Sequence, residues 1–298
     1  MKIFYGESNN KIIDVTEFCY NNLKKDNIIL IPNGDCIRAS LFGDPIFGVL
    51  KKIYIIDSNC VISEYDDYLY IIINLIDNTI ITSNENNIDY KITHIHNKLK
   101  LKYGSFSDEL PEQKMTIRYL NGSEKVLEIG GNIGRNSLII GYILKDNNNF
   151  VTLECDEEIA KQLTENRDLN SMNFHIEKSA LSKRNLIQKE WDTFVSDIVL
   201  EGYKKVNTIT LEELNSKYNI DFDTLVLDCE GAFYYILMDM PEILNNIKVI
   251  IMENDYKDIT HKNYIDSILK EHNFYVDYSE CGGWGPCYNN FFEVWKIK

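Results

Sequence analysis

A short apolar run that stops at a cluster of glycines and reopens as an apolar helix fits few folds. Here it reads Val126-Leu127-Glu128-Ile129-Gly130-Gly131-Asn132-Ile133-Gly134, followed by the apolar stretch Asn136–Leu144. A strand, a glycine turn and a helix N-terminus form the cofactor junction of doubly wound α/β folds. Glycine lets a ligand approach the backbone closely, and the turn presents N–H groups to it. The spacing is not the GxGxxG of dinucleotide sites. Glu128 stands two residues before the first glycine, and Asn132 takes the middle glycine position of an ExGxGxG turn. An acid with that turn suits S-adenosylmethionine, which brings an amino-acid head and no pyrophosphate.

Strands and helices alternate around and beyond this turn. Strands are predicted at Lys125–Ile129, Phe150–Glu154, Phe174–Glu177, Thr224–Asp228 and Val249–Glu253. Helices are predicted at Asn136–Leu144, Glu157–Asn170, Leu211–Tyr218 and Tyr234–Leu244. Such alternation implies right-handed crossovers and a mostly parallel sheet covered on both faces. Phe274–Tyr278 and Phe291–Trp295 are expected to close it as an antiparallel pair. The first ninety residues read differently: Ile- and Tyr-rich runs at 28–31, 49–56, 69–75 and 78–82, between turn signals, predict a separate β-rich module over 1–90. One helix is expected within Thr16–Lys25, and the polar stretch Ser83–Asp89 is the first boundary candidate before a second domain over 97–298.

Composition narrows the partners. The chain has 298 residues, 31 basic and 46 acidic, for a formal charge of −15. That field repels phosphate backbones and anionic lipid, and no dense Lys/Arg run offsets it, so neither nucleic acid nor membrane is an expected partner. No apolar run reaches the roughly 18 residues of a membrane span, and no signal-peptide core opens the chain. The seven scattered cysteines fit a reducing compartment, so a cytoplasmic location is expected.

More acids gather at predicted strand ends. Glu154 closes the second strand, 20 residues after Gly134, where a carboxylate accepts hydrogen bonds from ribose hydroxyls. Asp228 and Glu230 end the fourth strand and begin its turn, at the rim where open α/β sheets bind ligands, although either is also a candidate helix N-cap. Asp255, after the fifth strand, reads as an N-cap. His261, in Asp258-Ile259-Thr260-His261-Lys262, is a candidate base at a loop–helix junction; His94, His96 and His175 read as structural.

The chain resembles the FkbM-type family of S-adenosylmethionine-dependent methyltransferases, many of which methylate hydroxyls of sugars or natural products. The matching residues are Leu127–Gly134, Asn166 and Asn170, Ser179-Ala180-Leu181-Ser182 and Asp228-Cys229-Glu230-Gly231-Ala232, within about 105–298. Val226 replaces the family's usual lysine, and Phe233 the last acid of its EGAE. The resemblance implies a class I methyltransferase, Rossmann-like sheet, mostly parallel with an antiparallel C-terminal strand. Together with the glycine turn and the strand-end acids, it implies cofactor contacts at Glu128, Gly130, Asn132, Gly134, Glu154, Ser179, Ala180 and Asp228; by their positions, Asp228, Glu230 and His261 are the catalytic candidates. The expected reaction is O-methylation of a sugar or glycan hydroxyl. The alternatives are another hydroxylated metabolite or protein as acceptor, or a cofactor- or glycan-binding protein without turnover. A magnesium-assisted variant is conceivable because the rim is rich in carboxylates, but rim acids are expected anyway; it is not favoured, and no metal ligand is assigned. The aromatic segment Gly282–Trp295 offers either a platform for a sugar ring or packing of the terminal hairpin. A homo-oligomer is left open.

Overall fold

The computed structural model describes residues 1–7, 11–57, 60–83, 85–189 and 192–298. The chain divides into two compact units, Met1–His94 and Ile95–Lys298.

The first unit contains strands β1 (Lys2–Gly6), β2 (Ile12–Asp14), β3 (Lys24–Lys25), β4 (Ile28–Ile31), β5 (Lys52–Ile56), β6 (Ile62–Tyr65), β7 (Tyr70–Asn74) and β8 (Ile80–Ser83). Helices α1 (Thr16–Phe18), continued by a wide turn over Cys19–Leu23, and α2 (Asp35–Phe42) accompany them. Two antiparallel sheets form, in the orders β2-β1-β5-β6 and β3-β4-β7-β8. Alternate residues point inward from both: Ile3 and Tyr5, Ile53 and Ile55, Ile29 and Ile31, Ile71 and Ile73 share one core. Two buried cations brace the loops. Arg38 donates to the carbonyls of Pro32 (2.8 Å), Asp66 (3.1 Å) and Leu69 (2.6 Å). Lys51 pairs with Asp35 (2.9 Å) and Asp44 (3.0 Å) and donates to the Ile46 and Val49 carbonyls. Within the stretch that offered the boundary candidate, Ser83 ends β8, Asn84 lies outside the described residues, and Glu85–Asp89 begin helix α3 (Glu85–His96). Ile88, Ile92 and Ile95 recur at helical spacing and are buried, which outweighs the polar residues between them.

The second unit begins with α4 (Leu110–Tyr119) and continues through β9 (Val126–Ile129), α5 (Arg135–Ile143), β10 (Phe150–Leu153), α6 (Glu157–Leu169) and β11 (His175–Glu177). Short strands β12 (Ala180–Leu181), β13 (Leu186–Lys189), β14 (Asp192–Val195), β15 (Lys204–Val206) and β16 (Thr208–Ile209) come next. The chain then runs through α7 (Leu211–Tyr218), β17 (Thr224–Leu227), α8 (Phe233–Asp239), β18 (Val249–Glu253), α9 (Ile259–Glu271), β19 (Phe274–Glu280) and β20 (Phe292–Ile297). The main sheet has the order β11-β10-β9-β17-β18-β20-β19. Strands β9, β10, β11, β17 and β18 pair in parallel, and β20 lies antiparallel between β18 and β19. The mostly parallel sheet and the antiparallel C-terminal strand thus agree with the sequence expectation. β9, β10 and β17 are buried at every position, as strands covered on both faces must be. Strand order reverses between β9 and β17, the switch point at which such sheets bind ligands. Among the described residues, no helix is long and apolar enough to cross a membrane.

Candidate functional site

The turn after β9 is shaped by the chain around it. Gly130 has φ 95°, and a Cβ there would lie 1.6 Å from the Asp228 carbonyl oxygen. A Cβ on Gly134 (φ 94°) would lie 2.3 Å from Leu163. These glycines are therefore required by close approach of the β17 turn and of helix α6, where the sequence alone pointed to ligand approach. Asn132 takes a left-handed φ of 46°, a conformation asparagine tolerates better than most residues.

Glu154 stands opposite that turn, at the end of β10. It accepts the Asn132 backbone N–H (2.9 Å) on one oxygen and the Asp156 N–H (2.8 Å) on the other. One donor per oxygen fixes the carboxylate and leaves each oxygen further acceptor capacity. Glu128, by contrast, is buried beneath the turn, where it accepts from Ser137 Oγ and Asn136 Nδ2, and burial pushes its carboxyl up to about 7. It braces α5 against β9 and does not line the main cleft.

That cleft has a volume of about 1040 Å³ and runs along the C-terminal ends of β9, β10, β17 and β18. Gly130, Asn132, Glu154, Ala180, Asp228 and Glu230, six of the predicted site residues, line it. Gly134 caps α5 behind the turn, and Ser179 donates to Glu177 (3.0 Å) without lining the cleft. His261 also stands outside the lining; its ring stacks on Tyr234 at 3.8 Å and 7°. Cleft residues that the sequence did not single out are Glu109 and Glu112 at the start of α4, Gln188 and Phe194 on the β13–β14 hairpin, and Tyr235 on α8. The acidic pair on either side of Leu110-Pro111 was the one available signal for α4.

The electrostatics are one-sided. The lining holds Glu109, Glu112, Glu154, Asp156, Asp228, Glu230, Asp239 and Glu253 against Arg184, the one cation among the described lining residues. Arg184 is bound by Asp239 through Nε (2.5 Å) and Nη2 (2.8 Å). Burial, then the charges of Glu109, Glu112, Asp255 and Glu230, raises the Asp228 carboxyl well above its ordinary range. Burial and the Asp228 charge lift Glu253 to about 11, and its carboxyl is hydrogen-bonded to that of Glu112. Other cations on this half are engaged: Arg135 by Glu109 (2.6 Å), Lys204 by Asp156 (2.5 Å) and buried Lys262 by Glu293 (2.9 Å). Among the described residues, no group of three or more His, Cys, Asp or Glu is placed to hold a metal ion.

Several sequence readings change. Asp255 is not a helix N-cap; it accepts the Gly231 N–H (2.8 Å), bracing the β17 turn, and Asp258 caps α9. Asn166 accepts the Lys102 N–H (2.8 Å) and donates to the Ile133 carbonyl (2.9 Å), while Asn170 bonds both backbone groups of Lys100, so both pin residues 100–103 to α6. Of the C-terminal aromatics, Phe292 lines the cleft; Trp295 is buried, and Trp284 and Tyr288 are exposed elsewhere.

No family model matches the chain, and no curated protein matches it. Among solved structures, it is similar to the O-methyltransferase from Bacillus cereus in complex with SAH (15% identity, TM-score 0.40), over 71% of this chain and 91% of that one. It is likewise similar to the O-methyltransferase TomG from Streptomyces achromogenes in complex with SAM (13% identity, TM-score 0.40; 71% and 89%). A third is the ribosomal protein L11 methylase from Lactobacillus delbrueckii subsp. bulgaricus (13% identity, TM-score 0.40; 66% and 81%).

Proposed function

We propose that this chain is an S-adenosylmethionine-dependent methyltransferase of the FkbM type that methylates a hydroxyl, with a sugar as the acceptor class. The observation that carries the reading is Glu154, held by the Asn132 and Asp156 N–H groups at the rim beside the switch point. Its remaining lone pairs suit the two hydroxyls of a ribose, and Leu153, Ile159 and Leu181 supply apolar lining for a flat base. Bound there, the cofactor supplies an electrophilic methyl group on a sulfonium, and the acid-lined cleft favours that positive charge.

The chain's own work is alignment and proton removal. Positioning contributes on the order of 7–11 kcal/mol in well-oriented reactions. A base adds roughly 10²–10⁴-fold. Glu230 is the proposed base: it lines the cleft, is exposed to it, and sits at φ 50° in the turn after β17. Asp228, with its raised pKa, is the proposed donor or acceptor of a hydrogen bond to the ligand, and His261 has no part in this scheme. Phe194 and Tyr235 offer ring faces, and Ser182, Gln188 and Thr193 offer hydrogen-bonding groups, the mixture an uncharged sugar requires. Because Arg184 is already matched to Asp239, a nucleotide diphosphate would meet no free cation among the described lining residues.

Calorimetric titration with S-adenosylmethionine and S-adenosylhomocysteine tests the cofactor, and labelled methyl transfer to free and nucleotide-linked sugars tests the acceptor. Binding is expected for the parent protein, with about tenfold or greater loss in Glu154→Ala. Unchanged affinity in that variant would overturn the placement.

A further inference from the structure

Glu112 and Glu253 come from distant parts of the sequence, the first turn of α4 and the last residue of β18, and meet carboxyl to carboxyl. Both line the main cleft and also a small recess behind it, beside Gly130 and Asp228. Glu112 is only 7% exposed, and its Oε2 is a buried acceptor without a hydrogen-bond partner. A buried oxygen left in that state costs free energy that a donor would recover. Arg135, the cation at neighbouring Glu109, is already engaged by Glu109 and Asp108. The charged groups acting on the pair from its surroundings are acids: Asp228 after β17, Asp255 after β18 and Glu280 on β19. Glu109, Glu128 and Glu230 add negative charge to the same end of the sheet.

We infer that Glu112 and Glu253 together form the seat for the ammonium group of the cofactor's amino-acid head, an assignment that rests on the S-adenosylmethionine reading of the cleft. Gly130 lines the same recess as this pair, the Asn132 N–H holds Glu154 at the proposed ribose contact, and all of these residues line one cleft. Two hydrogen-bonded carboxyl groups in a buried site hold one proton between them, because both cannot ionise at contact distance without a cation. An ammonium takes the place of that proton: it donates N–H groups to both carboxylates and supplies the same single positive charge, so the net charge of the seat is unchanged. The shared proton then leaves to solvent. Binding of the head group therefore releases about one proton, and affinity rises with pH, up to about tenfold per pH unit while the free pair retains its proton.

The test uses the full chain and three ligands at pH 6, 7 and 8: S-adenosylmethionine, S-adenosylhomocysteine and 5′-methylthioadenosine, which keeps the adenosine and thioether but lacks the amino acid. Calorimetry in buffers of different ionisation enthalpy counts the protons. The first two ligands are expected to release about one proton and tighten with pH, and methylthioadenosine to do neither. Glu112→Gln and Glu253→Gln should each weaken the first two by about 10- to 100-fold and leave methylthioadenosine unchanged. Binding of S-adenosylhomocysteine without proton release would overturn the assignment, as would equal weakening of all three ligands, which would mark the pair as a structural brace. If none of the three binds, the cofactor reading itself fails.

Discussion

At the scale of single residues, the site depends on the absence of a side chain at Gly130. Gly130→Ala places a methyl against the Asp228 carbonyl at a positive φ, so one of the two turns must move. A loss of several kcal/mol or failure to fold is expected, measured by denaturant unfolding. Glu230→Gln should keep cofactor affinity and reduce turnover by at least about tenfold, read from kcat with affinity measured separately. Full activity would move the base elsewhere. The placement of Glu154, Asp228 and Glu230 on the cleft rim was legible because a strand end is a position that sequence pattern reveals. Glu112 was not: its importance comes from meeting Glu253, some 140 residues away in sequence, and no local pattern announces that.

At the scale of elements, the central strands were legible to within a residue or two because buried parallel strands are apolar runs between turn signals. Helix α4 was missed for a physical reason: its buried face carries Glu112, Gln113 and Thr116 beside Met115 and Ile117, so no apolar stripe forms. The β13–β15 insertion was missed because its strands are short and partly polar. Yet this insertion provides a cleft wall. Phe194, on β14, is about half exposed, lines the cleft and packs edge-on against Tyr203 at 5.8 Å. Phe194→Ala is expected to raise the acceptor KM by about tenfold, without changing cofactor affinity, through lost ring contact. A matching loss of cofactor affinity would place the ring against the cofactor instead.

At the scale of the whole molecule, pH dependence comes from the buried acids. Burial pushes Glu128 and Asp255 each up to about 7 and Glu253 up to about 11, whereas the unfolded chain ionises such groups near pH 4. Between those values the folded state binds more protons than the unfolded state, so stability falls as pH rises from about 5 to 8. Asp156, Glu177 and Asp239, held below their ordinary range with Lys204, Lys217 and Arg184 as partners, act in the opposite sense and lose their contribution only in strong acid. The ligand-free protein should therefore melt highest near about pH 5. A melting temperature that climbs steadily to pH 8 would contradict this balance.

Each of the two compact units also encloses one lysine almost completely: Lys51 in the first and Lys262 in the second, each 1% exposed. An amine-acylating reagent reaches such nitrogens only when the surrounding structure opens. The two lysines are thus built-in reporters of unfolding, one for each half. Pulse labelling along a denaturant gradient, with peptide mass spectrometry as the readout, would resolve both transitions in a single sample. Separate midpoints for the two lysines would show the halves melting independently, and a shared midpoint would show them melting as one.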